Sequence, residues 1–250
     1  MSIGIFLLIV TSAVALMFLL ANHLPWAKDE KQQAGRARSH PAARHAEPAI
    51  TAPLRGTPGE REVIQALLQH GFKPTAIYHD LLVRRSNGHT AQIDIVVATN
   101  VGLIVVEVKD MNGWLFGNGL HDFWTVTTSF GHNRYRLYNP FKQNETHIAA
   151  LREMSPVLAA LPMHSLVVMA GCCELRNVRF IPHGCYLTTT YKVTEAVEHI
   201  VRHSASACYA DRWEVARLLQ GAVDYGGSKE RQRQHIMDVR RRLGADRVFE

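Results

Sequence analysis

Hydrophobic and polar positions divide the chain into three stretches. Residues 2–21, SIGIFLLIVTSAVALMFLLA, carry no charge and are long enough, at about 1.5 Å per residue, to cross a hydrocarbon core of about 30 Å. That pattern predicts an N-terminal transmembrane helix over residues 1–21. Residues 22–55 mix Ala, Pro, His, Gln and charges without hydrophobic period, which predicts a flexible linker. From residue 56 onward the periodicity of packed helices and strands begins.

Thr57-Pro58-Gly59-Glu60 has Thr as N-cap, Pro at the first helical position and Glu at N3, the pattern of a capping box. The spacing predicts a helix to about His70, stopped by Gly71. Strands are expected near 76–84, 90–98 and 102–110, the last two carrying the runs IDIVVA and LIVVEV. A further strand or hairpin is expected around Trp114 and Trp124. Asn139-Pro140 repeats the cap-plus-proline signal and opens a helix through Gln143 to about Met154, and SLVVMA at 165–170 reads as a buried strand. Helices are expected at 194–222 and 228–243. Helix, strands, helix, strand is the order of an α/β layered domain, here over 56–170, with a mostly helical C-terminal extension over 171–250.

Charge sets an orientation. No Lys or Arg precedes residue 28, so the basic leader of a cleaved signal peptide is missing, whereas Lys28, Lys31, Arg36 and Arg38 all follow the apolar span. The positive-inside bias then predicts a single-pass protein with its N-terminus outside and its globular part in the cytoplasm. The four cysteines, Cys172, Cys173, Cys185 and Cys208, lack the spacing of a secreted disulfide framework. With His183, three of them could ligate zinc, but they are not paired as zinc ligands usually are, and they read as packing residues after an apolar strand. The chain has a formal net charge of +6, and residues 229–247 hold seven Lys or Arg against three Asp or Glu. Such a face suits phosphate backbones, anionic lipid headgroups or plain solvation, and does not choose among them.

The chemistry is carried by acids inside apolar strands. Asp94 interrupts QIDIVVA and Glu107 interrupts LIVVEVKD, where a strand covered on both faces would carry aliphatics. A turn centred on Asn100-Val101 sets the two carboxylates directly opposite one another, about 4.5–5.5 Å apart at Cβ, where like charges repel. A divalent cation between them would reverse that sign. Lys109, two residues past Glu107, lies on the same face. The competing arrangement is a structural ion pair, with one acid on Lys109 and the other at solvent. Glu60 shares the helical face of Val63, Ile64 and Leu67, beyond what a cap alone requires, and Gln143 and His147 start the buried face of the later helix. A hydrogen-bonded core histidine is the plainer account of His147 by itself.

The stretches GTPGEREVIQALLQHGF, AQIDIVVATNVGLIVVEVKDMNGWLFG and NPFKQNETHIAAL together resemble the nuclease-related domain, a branch of the PD-(D/E)xK superfamily related to RecB-like nucleases. The resemblance covers residues 56–170 and rests on GE, QID, EVK and NP-x-x-Q in that order. It implies a restriction-endonuclease-like core, a mixed central sheet flanked by helices. It implies Asp94 as the metal-binding aspartate, Glu107 and Lys109 as the (D/E)xK pair, Glu60 as the first-helix glutamate and Gln143 as the glutamine that positions nucleic acid or the lysine. RecB-like nucleases have Gln-x-x-x-Tyr where this chain has Gln143-x-x-x-His147. The expected cofactor is Mg²⁺, with Mn²⁺ as an alternative, held by Asp94, Glu107 and the Val108 carbonyl. The expected activity is phosphodiester hydrolysis at a membrane, on DNA in preference to RNA. Two other readings stay open: a quiet nucleic-acid-binding or membrane-tethered scaffold on the same fold, and an interaction module in residues 171–250.

Overall fold

The computed structural model describes residues 55–128 and 132–243; the expected membrane span and nearly all of the expected linker lie outside them. None of the described helices is long and apolar enough to cross a membrane. Two mixed sheets flanked by helices make up the described fold.

The chain opens with α1 (Pro58–Gln69), whose N-terminus is closed by the expected capping box: Thr57 accepts from the Glu60 amide and Glu60 accepts from the Thr57 amide. Three strands follow, β1 (Ile77–Arg84), β2 (Thr90–Thr99) and β3 (Gly102–Asp110), which form an antiparallel meander. Thr99 pairs with Gly102, so the turn sits where the sequence puts it. After β3 come β4 (Gly113–Asn118), β5 (Phe123–Thr128) and β6 (Asn133–Tyr138), then α2 (Pro140–Met154), the short α3 (Pro156–Ala159) and β7 (Met163–Ala170). The central sheet has the order β1-β2-β3-β7-β9, with β7 parallel to β3 and β9 (Cys185–Thr189) parallel to β7. The strands β6-β5-β4 and β8 (Cys173–Arg179) make a second, four-stranded sheet.

Alternation along β3 puts Ile104, Val106 and Val108 in one apolar cluster with Val63, Ile64 and Leu67 of α1, and Leu103 and Val105 in another with Ala150 and Leu151 of α2. Glu107 and Lys109 share the parity of Leu103 and Val105 and therefore face α2. In β1 and β2 the alternation slips once. Tyr78, Leu81 and Val83 all face the α2 side, as do Ile93 and Val96, while Ile95 and Val97 face α1. The slip falls at Asp80 and Asp94, which are both left out of the β1–β2 pairing although the register on either side is continuous. Asp80 takes a left-handed backbone, φ 56°, a conformation Asp tolerates better than most residues.

Past residue 170 the chain stays with the core. β9 extends the central sheet, α4 (Val193–His203) places Val197 and Ile200 in the α1-side cluster, and α5 (Arg212–Gly226) places Val215, Leu219 and Ala222 in the α2-side cluster. The described residues 171–243 are thus helical in the main, with β9, α4 and α5 packed into the same core. The single helix expected over 194–222 is two helices. Between them Ala207 donates to the Asn100 carbonyl and Tyr209 to the Thr99 carbonyl at 2.6 Å. These bonds hold the connection against the β2–β3 turn, and Asp211 caps α5. The basic helix α6 (Lys229–Leu243) closes the described chain.

Candidate active site

The first turn of α1 brings Glu60 to the end of the sheet because Gly59 allows close approach. Its amide donates to Asp110 Oδ2 at 3.0 Å, and a Cβ there would stand 2.7 Å from the Ala170 Cβ. Gly59→Ala should therefore displace the start of α1 and cost about 1–3 kcal/mol, the usual penalty of overpacking. A thermal melt in chelator checks this, and an unchanged midpoint would contradict the fit described. Glu60 itself is buried, with Oε1 in the capping box and Oε2 2.8 Å from Nε2 of His79 on β1. Burial opposes ionisation of Glu60, but the His79 and Thr57 contacts outweigh it and hold the carboxyl below its ordinary range.

Asp94 sits where the β2–β3 ladder ends. The last pair is Ile95–Val106, and instead of a further backbone pair the Asp94 carboxylate reaches over and Oδ2 accepts from the Val108 amide at 2.8 Å. Burial, followed by the charges of Glu107 and Glu60, pushes the Asp94 carboxyl well above the ordinary aspartate range; Lys109 and the Val108 amide pull it back only partly. The contact seen for Val108 is through this amide.

Glu107 is 1% exposed. Its Oε1 pairs with Lys109 Nζ at 2.7 Å, and its Oε2 lies 3.2 Å from Nδ1 of His147. Glu107 Oε2 and His147 Nδ1 are both buried without a hydrogen bond of good geometry, although the His147 ring is close enough to favour the Glu107 carboxylate. Burial opposes ionisation of Glu107, yet Lys109 and His147 prevail and its carboxyl is lowered. Lys109 is pulled down by burial and raised more strongly by Glu107 and Asp94. Its ammonium also donates to Gln143 Oε1 at 2.9 Å. The ion pair is thus made by Glu107, and Asp94 is left without a cationic partner in contact.

All five expected catalytic positions, Glu60, Asp94, Glu107, Lys109 and Gln143, are joined by direct contacts or mutual electrostatic influence, with His147 against Glu107. Residues that the sequence reading passed over complete the arrangement. His79 holds Glu60, Asp110 holds the start of α1, and Asn144 fixes α2 to the sheet by donating to the Val105 carbonyl at 2.8 Å and to Ser165 Oγ at 2.9 Å. Asp80 accepts from Arg55 at 2.7 Å, Gln92 at 2.8 Å and Gln232 of α6 at 3.2 Å. The signal for His79 and Asp80 was the one used for Asp94 and Glu107: polar residues side by side within the apolar run IYHDLLVR.

Asp94 has no salt-bridge partner among the described residues and is held beside Glu107, which repels its charge, and an oxygen of Glu107 has no hydrogen bond. Those features fit a divalent cation. Among the described residues no group of three or more His, Cys, Asp or Glu is arranged to hold a metal ion. A cation would rest on two carboxylates, a backbone carbonyl and water, a donor set that Mg²⁺ accepts.

An uncharacterized protein of Bacillus anthracis is 31% identical over 124 residues, which are 50% of this chain and 57% of that protein; the match spans little more than half the relative's length. No solved structure matches. The family model described as nuclease-related domain matches residues 55–170, the stretch from α1 through β7 that holds all of the converging acids, Lys109 and Gln143. Over those residues, a little under half of the chain, it is similar to the nuclease-related domain.

Proposed function

We propose that this site hydrolyses phosphodiester bonds in nucleic acid, DNA in preference to RNA, with Mg²⁺ or Mn²⁺ as cofactor. The observation that carries the reading is Glu107. It is almost completely buried, with one oxygen on Lys109 and the other without a hydrogen bond, beside an Asp94 that it repels. A buried carboxylate oxygen short of a hydrogen bond, with a second carboxylate beside it, is unfavourable for a purely structural site.

Asp94, Glu107 and the Val108 carbonyl would hold the cation, which when bound supplies a Lewis acid for the phosphoryl oxygen and lowers the pKa of a coordinated water. Lys109, fixed between Glu107 and Gln143, keeps its proton and presents a positive charge where the phosphorane oxygens gather negative charge. Gln143 restrains the Lys109 ammonium, and Asn144 restrains Gln143 by tying α2 to β3. Glu60, held by His79 and the cap, adds negative potential that favours a cation near Asp94. Membrane attachment through residues 2–21, with the domain in the cytoplasm, belongs to the same proposal, because a nucleic-acid substrate must share the domain's compartment.

Hydrolysis of end-labelled linear and closed circular DNA by the full chain, in Mg²⁺ and in chelator, tests the reading. Lys109→Ala should cut the rate at least about a hundredfold, roughly 2.7 kcal/mol of transition-state stabilisation, while leaving Mg²⁺ binding in place, since Lys ligates no metal. Retention of more than about a tenth of the rate would remove Lys109 from the chemistry. No Mg²⁺-dependent hydrolysis of either DNA or RNA would leave the scaffold reading.

A further inference from the structure

The second sheet has one face that the core uses and one that it does not. Leu115, Trp124, Val126 and Leu137 turn inward and pack with Phe141 of α2 and with Val167 and Met169 of β7, the partners of Glu107 and Lys109 in the parallel pairing. The opposite face follows from the register. Phe123 pairs with Tyr138, Thr125 with Arg136 and Phe116, and Thr127 with Arg134 and Trp114. That face therefore carries four aromatic rings and two arginines on three adjacent strands, joined by Arg176 of β8.

These side chains are interleaved. The Arg136 guanidinium lies 4.0 Å from the centre of the Phe123 ring and that of Arg176 lies 4.8 Å from the Trp114 ring. Phe123 and Tyr138 meet edge to face at 5.8 Å. Phe116, Phe123 and Tyr138 are 37%, 41% and 41% exposed, which is unusual for three rings on one face of a folded sheet. Among the described residues, Glu174 is bonded to Arg176 at 2.9 Å, and Asp122, next to Phe123, is bonded to Lys142, so both nearby carboxylates already have cationic partners. The surface is aromatic and positive. Rings and guanidinium planes are what unstacked bases lie on, and arginines spaced between them suit the intervening phosphates. Two copies meeting through this face would set like charges against each other, which disfavours self-association.

The face is also tied to the site. β4 starts just after Lys109, within roughly 14 Å along the chain, and β6 ends just before α2, which carries Gln143 and His147. We propose that the outer face of the β6-β5-β4-β8 sheet binds single-stranded nucleic acid by base stacking and feeds it to the acidic site. The inference rests on the nuclease reading for its purpose but not for its binding.

The test separates the two. Binding of a fluorescent oligo(dT) strand is measured by anisotropy with the detergent-purified full chain in chelator, where no metal-dependent cleavage occurs. Phe123→Ala/Arg134→Ala/Arg136→Ala changes only exposed positions. It should weaken binding about 30- to 300-fold, since each stacked base contributes about 1–3 kcal/mol, and should lower the salt slope by about 1.4 for two phosphates lost. Hydrolysis of a small aryl phosphodiester, too short to reach the sheet, should be unchanged. Unchanged oligonucleotide binding overturns the inference, as does an equal loss on duplex and single strand. A loss of vesicle binding or of self-association in place of oligonucleotide binding overturns it too. Ring-dependent binding with no Mg²⁺-dependent hydrolysis of any phosphodiester would instead keep the sheet assignment and sink the nuclease reading.

Discussion

Glu107→Gln should lower Mg²⁺-dependent cleavage by at least about a thousandfold, a loss of roughly 4 kcal/mol in transition-state stabilisation, and should destabilise the metal-free protein as well. The two effects have one origin. The carboxylate neutralises Lys109 at 2.7 Å and is the deepest acid in the site. Gln keeps its volume and one oxygen but not its charge. Removing one partner of a buried pair typically costs about 3–5 kcal/mol; here Asp94 stands near enough to take over part of the lysine's field, so the loss should fall at or below the lower end of that range. Rates from a plasmid-nicking time course and midpoints from thermal melts in chelator measure both. A variant that keeps more than about a tenth of the rate would remove Glu107 from the metal site, whatever its stability.

How much of this was legible beforehand varied with how local the determining contacts are. The α1 cap, the turn between Thr99 and Gly102 and the Asn139–Pro140 start of α2 are set by residues within four positions of each other, and each was readable from residue type and spacing. The placement of Lys109 beside Glu107 followed from period two alone. What was not legible depends on distant partners. β6, NRYRLY, buries only Leu137 and has no apolar alternation to announce it. β9 is a strand because β7 lies alongside, not because CYLTT demands it. The break between α4 and α5 is fixed by hydrogen bonds to the β2–β3 turn, more than 100 positions earlier in the chain. In the site, the direct Asp94–Glu107 pairing implied by the turn is replaced by a bond from the Val108 amide to the Asp94 side chain. The pleat slips at Asp80 and Asp94, and strict alternation does not foresee a slip.

That slip sharpens the second prediction. Because Lys109 is paired with Glu107, Asp94 has two repulsive carboxylates near it, and only one backbone amide and the field of an already paired lysine to answer its charge. Asp94→Asn removes the charge and keeps an oxygen able to accept from Val108. In chelator the variant should melt at or above wild type, with a gain on the order of 1 kcal/mol from relieved like-charge repulsion, the opposite sign to Glu107→Gln. The pH dependence follows the same sign. Asp94 has a folded-state pKa above its unfolded one, so its protonated form stabilises the fold at low pH. That contribution is lost as pH rises through the raised value, and the Asn variant lacks the loss.

The most direct measurement of whether the acidic pair exists for a cation is the thermal melt of wild type and Asp94→Asn in chelator and in millimolar Mg²⁺. Mg²⁺ should raise the wild-type midpoint, by about 2.7 kcal/mol of stability at a hundredfold excess over its dissociation constant, and leave that of Asp94→Asn where it was. A wild type indifferent to Mg²⁺, together with an Asp94→Asn protein that melts far below it in chelator, would contradict the account and make the cluster a structural ion pair.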